Sequence, residues 1–155
     1  MAKTIVLMAF SAVLAGVTAS VPVQAADRTA RQQQARPGDD TSGRVQRGQA
    51  SHYHRRLHGR RMANGERFSV RSNSAASRTL PLGTTARVRN LDTGRTAMVE
   101  VEDRGPYVRG RILDVSPHTA QQLGMVEEGT AQVEITPIEV PQRDGSTRIA
   151  AGSNR

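Results

Sequence analysis

The strongest constraint on the fold lies in residues 99–116, V-E-V-E-D-R-G-P-Y-V-R-G-R-I-L-D-V-S. Ala97, Val99 and Val101 alternate with Met98, Glu100 and Glu102, the period-two pattern of a strand with one buried face. Gly105 and Pro106 then break the strand, so Asp103 falls where strand becomes turn. A carboxylate placed there is fixed at its base and open in front, as many active-site acids are. The same residues also permit a plain role, with Asp103 capping the turn or pairing with Arg104.

Other β signals surround this stretch. Residues 84–91 alternate Ala86 and Val88 against Arg87 and Arg89, and Asp92-Thr93-Gly94 turns the chain back into a 95–102 strand. Residues 49–53 form a candidate first strand. Ala131, Val133 and Ile135 alternate with Gln132, Glu134 and Thr136 in a closing one. One helix is marked by Ser116 as N-cap, Pro117 at its first position, His118 to Leu123 as its body and Gly124 at its end. Asp114 and Ser116 read as structural residues that turn the chain into it. Short strands with one short helix predict a small closed barrel, because closure removes exposed edges.

The flanks bury little. Residues 26–47 are almost wholly polar and read as a disordered linker, and residues 140–155 as a disordered tail. That leaves residues 48–139 as the folded part, the size of one small domain. Residues 1–25 combine Lys3, an apolar run from Ile5 to Val17 and small residues up to Ala25, which reads as a secretory signal cut after Ala25. The run is shorter than the roughly 20 apolar residues of a membrane span. The chain has no cysteine, hence no disulfide, thiol nucleophile or lipid anchor. The expected mature chain is soluble, in the periplasm or outside the cell.

The formal net charge is +8, and every basic residue except Lys3 is arginine. Such a balance suits an anionic polymer or surface. Nucleic acid is disfavoured, since Tyr53, Phe68 and Tyr107 are the only aromatics after the signal, too few for a base-stacking platform. His52, His54 and His58 cluster among arginines with no acid nearby, a basic loop beside a cleft rather than a metal site. No metal or cofactor is expected.

Four pieces in this order carry a resemblance: Gly48-Gln49-Ala50-Ser51-His52-Tyr53; residues 58–68, H-G-R-R-M-A-N-G-E-R-F; residues 74–84, S-A-A-S-R-T-L-P-L-G-T; and Asp103-Arg104-Gly105-Pro106-Tyr107 running on to Asp114-Val115-Ser116. Together they resemble the rare lipoprotein A (RlpA-like) family. The resemblance implies a mainly β fold, a six-stranded double-psi β-barrel with one or two short helices. It also implies an endolytic lytic transglycosylase acting on peptidoglycan glycan strands in the cell envelope, preferring strands that lack stem peptides. Barrels of this type also occur in expansins, which loosen polysaccharide walls without clear hydrolysis.

Carried over by position, Asp103 matches the acid of the family's D-R-G-P motif and Glu66 the acid of A-N-G-E. Ser77 stands where the family usually has histidine, Met62 where threonine is usual and His54 where glycine is usual. The repeat domain that follows the barrel in the family has no counterpart here. Asp103 is the expected acid and then base, with Glu66 tuning it or stabilising positive charge at the anomeric carbon. Ser77, Tyr53, Tyr107 and Asn64 are the expected substrate contacts, and Arg104 an ion-pair partner. Serine cannot titrate as histidine does, so weak activity is expected. Two rivals stand beside the enzyme: a non-catalytic glycan-binding or wall-loosening module, and a cationic protein that adheres to anionic envelope polymers.

Overall fold

A computed structural model describes residues 34–150, so the signal sequence expected at 1–25 lies outside the described residues. Seven strands occur in chain order: β1 (Gln46–His52), β2 (Ser74–Ala76), β3 (Thr85–Asn90), β4 (Thr96–Asp103), β5 (Arg111–Val115), β6 (Thr130–Pro141) and β7 (Thr147–Ile149). Hydrogen bonding runs β1-β5-β2-β4-β3-β6, and β6 returns to β1, which closes a six-stranded ring; β7 adds outside, on β6. The pairs β1–β5 and β2–β4 are parallel and the rest antiparallel. This is the mainly β, closed double-psi barrel that the sequence led us to expect.

Alternation explains the walls. Ala97, Val99 and Val101 of β4 face inward with Ala86 and Val88 of β3 and Val133 and Ile135 of β6, all in the buried core. Outward residues pair across strands where charge permits: Arg47 stands opposite Glu134 in register and bonds it at 2.6 Å. Helix α1 (Pro117–Leu123) starts as its sequence requires, with Ser116 Oγ accepting from the Thr119 N–H at 3.1 Å. It ends at Gly124, whose φ of +67° is a left-handed cap favouring glycine. The Leu123 carbonyl, orphaned by that end, accepts from the Asn90 amide and the Thr93 hydroxyl, both at 3.0 Å.

The boundaries of the disordered flanks need correcting. β1 begins at Gln46, inside the expected linker, and β6 runs to Pro141 before turning into β7, inside the expected tail. Further upstream, Asp39 pairs with Arg104, and the Asp40 N–H donates to the Thr79 carbonyl at 2.7 Å. These stretches are held to the barrel by specific ion pairs and backbone bonds, and they also bury Ala35, Val140 and Ala150.

Candidate active site

Asp103 ends β4, and its surroundings explain its placement. It is half-buried, after the buried Val99 and Val101, where the strand gives way to the Gly105-Pro106 turn. A β-bulge lies beside it, since Ala75 pairs with Val101 but Ala76 pairs with Asp103, leaving Glu102 skipped. One carboxylate oxygen, Oδ1, accepts from the backbone N–H groups of Ala63 and Arg104, each at 2.9 Å. The other, Oδ2, accepts from the Tyr53 hydroxyl at 3.0 Å. Backbone therefore fixes one oxygen, and a rotatable hydroxyl meets the other.

Tyr53 is held in turn. Its ring packs on Phe68 with centroids 4.8 Å apart and planes tilted by 57°. Burial, and then the charge of Asp103, pushes its phenol far above the ordinary range, so the hydroxyl keeps its proton at any physiological pH. Asp103 and Tyr53 open into a cleft of about 430 Å³, with Phe68 and Met62 behind and Arg60, Arg61 and Tyr107 around it. Tyr107 is 80% exposed, an aromatic ring on the lining of the same cleft.

Other expected site residues lie elsewhere. The exposed Glu66 is not among the residues lining the cleft; its charge acts on Glu100, whose carboxyl is pushed up by burial and then by Glu102 and Glu66. Asn64 is committed to the fold. Its amide nitrogen donates to Glu102 at 3.3 Å, and its amide oxygen accepts from the Glu66 N–H at 2.9 Å. Glu102 also accepts from the Ser74 hydroxyl. Ser77 is fully buried, its hydroxyl accepting from the N–H groups of Leu80 at 3.1 Å and Thr79 at 3.3 Å. It braces a turn instead of facing the cleft, although its own N–H donates to the Asp103 carbonyl at 3.2 Å.

The histidines do not replace it. His54 and His58 accept backbone N–H bonds from Arg56 and Val70, and His52 contacts the Tyr53 carbonyl. Among the described residues no group of three or more His, Cys, Asp or Glu could hold a metal ion. Arg104 is the ion-pair partner expected of it, but its acid is Asp39: Nη2 lies 3.2 and 3.1 Å from the two carboxylate oxygens, while Nη1 donates to the Leu80 and Ser77 carbonyls. Sequence reasoning missed Asp39 because nothing in a polar flank marks a contact spanning 65 positions. It also passed over Arg60 and Arg61 as cleft residues, although their motif was in view.

Fold and site together define a double-psi barrel that presents one anchored acid in an open cleft. The chain belongs to the lytic transglycolase family, whose profile matches residues 45–135. Its relatives include the endolytic peptidoglycan transglycosylase RlpA of Neisseria meningitidis serogroup B, 43% identical over 102 residues, 66% of this chain and 43% of that one. RlpA of Pasteurella multocida is 36% identical over 115 residues, 74% of this chain and 38% of that one. The chain thus spans less than half the length of the curated relatives it matches. Among solved structures, the Streptomyces papain inhibitor has 21% identity and a TM-score of 0.48, covering 63% of this chain and 97% of the other. An expansin of Clavibacter michiganensis has 23% and 0.46, covering 61% and 50%.

Proposed function

We propose that this chain is an endolytic peptidoglycan lytic transglycosylase, cleaving the β-1,4 bond between N-acetylmuramic acid and N-acetylglucosamine and leaving a 1,6-anhydro-muramyl end. It acts outside the cytoplasm, where its polymer lies, and prefers strands lacking stem peptides. The observation that carries this reading is the asymmetric setting of Asp103. Oδ1 is anchored by two backbone donors while Oδ2 meets a hydroxyl that can reverse. When Oδ2 carries a proton, the Tyr53 hydroxyl turns from donor to acceptor, so both protonation states keep a bonded partner.

The chemistry then balances on one group. The Asp103 carboxyl gives its proton to the glycosidic oxygen as the bond to C1 breaks. The muramyl C6 hydroxyl attacks C1 and passes its proton to the Asp103 carboxylate, which restores the starting state without consuming water. Tyr107 offers a face on which a sugar ring can stack. Glu66 has a lesser part, as negative charge outside the cleft that favours a cationic sugar. Digestion of purified glycan strands followed by mass analysis tests this reading. Anhydro-muramyl ends are expected, and reducing ends would show hydrolysis instead.

A second reading, a glycan-binding module that has lost turnover, draws on Ser77. No imidazole is bonded to Asp103 here, and the residue at that position spends its hydroxyl on backbone. Retained binding to peptidoglycan with no product of either kind would favour it.

A further inference from the structure

Arg60 and Arg61 line the same cleft as Asp103, yet neither guanidinium has a hydrogen-bond or carboxylate partner among the described residues. Arg104, beside them, is consumed by Asp39 and two carbonyls. The two free cations are also held in register with the acid. They sit on a tight antiparallel loop in which the Phe68 N–H donates to the Arg60 carbonyl at 2.8 Å and Arg61 bridges Arg67. The Ala63 N–H of that loop donates to Asp103 Oδ1. The backbone that carries Arg60 and Arg61 is therefore tied to the reacting carboxyl, and their side chains share its cleft.

Two unpaired guanidiniums in a cleft select an anion with planar, forked oxygens. A peptidoglycan glycan strand offers few. N-acetylglucosamine is uncharged, and N-acetylmuramic acid is ionised only at its lactyl carboxyl, which becomes a neutral amide once a stem peptide is attached. We propose that Arg60 and Arg61 form the subsite for the free lactyl carboxylate of the muramyl residue being cut, so that this pair reads whether the stem peptide has been removed. The inference rests on the transglycosylase reading for its polymer and supplies that reading with a recognition device. The lactyl group hangs from the sugar whose C1 and C6 react, so a grip on it orients the ring at the acid.

The test uses the full chain carrying Asp103→Asn, so that strands stay intact while binding is measured near physiological salt. Three probes are compared: strands freed of stem peptides, the same strands with the lactyl carboxyls capped as methylamides, and strands bearing peptides. The free-carboxylate strands are expected to bind about tenfold tighter than the capped ones. Arg60→Gln with Arg61→Gln is expected to erase that difference, and Arg56→Gln with Arg71→Gln, both exposed and outside the cleft, to preserve it. Equal binding of free and capped strands would overturn the proposal. So would a cleft double variant that weakens both equally, or peptide-bearing strands that bind as tightly through the same arginines, which would move the contact to stem-peptide carboxylates. Anhydro ends from native protein without such discrimination would contradict this inference alone; discrimination without anhydro ends would contradict the transglycosylase reading alone.

Discussion

Two hydroxyls near Asp103 do different work. The Tyr53 hydroxyl bonds its carboxylate, whereas the Ser77 hydroxyl faces away and holds the 77–80 turn. Tyr53→Phe keeps the ring on Phe68 but deletes a hydrogen bond to a charged group, worth about 1.5–3 kcal/mol. Cleavage is expected to slow by roughly 10–100-fold with little change in KM. An unaltered rate would remove Tyr53 from the proton's path. Ser77→His should act in two directions. It leaves two backbone N–H groups without their acceptor, costing about 1–3 kcal/mol, so Tm should fall. Cleavage should nevertheless rise, since residue 77 already touches Asp103 through its backbone N–H, and an imidazole too large for the serine's buried place is displaced towards that acid. A rate no faster than native would show that the serine is not what limits turnover.

At the scale of elements, β4 carries both the acid and an electrostatic load. Burial, then Glu102 and Glu66, raises the Glu100 carboxyl above its usual 4.5. A carboxyl raised in the folded state favours folding fully below its unfolded value, and that contribution is lost as pH rises through the folded one. Glu100→Gln should therefore raise Tm near neutral pH and change it little well below 4.5; equal Tm values at both would refute the load. The segment before β1 is fastened differently, by Asp39 on the largely buried Arg104. Asp39→Ala should cost about 3 kcal/mol by leaving that cation unpaired, read as a lower urea midpoint; a midpoint matching native would show that the pair is idle. How legible these elements were follows from their contacts. β3, β4 and the centre of β6 announce themselves by alternation, and α1 by Ser116, Pro117 and Gly124. β2 has three residues, all buried, with no alternation to see, and β7 exists only because β6 offers an edge. Asp103 was legible from its strand and turn. Its partners Ala63 and Tyr53 lie 40 and 50 positions away, and periodicity says nothing about them.

For the whole molecule, charge and fold are divided. The barrel wall carries the acid, while the segment of residues 55–71 carries exposed arginines, two of which, Arg60 and Arg61, line its cleft. Those two place positive charge beside Asp103, a small share of the chain's net +8. The described residues contain no helix long and apolar enough to cross a membrane. The claim on which the account depends is that the Asp103 carboxyl alone moves the proton in both halves of the reaction. The most direct measurement is mass analysis of glycan strands digested by native protein and by Asp103→Asn, with Tm recorded for both. Anhydro-muramyl ends from the native chain, none from the variant and closely similar Tm values are the expected result; undiminished anhydro ends from the variant would contradict it.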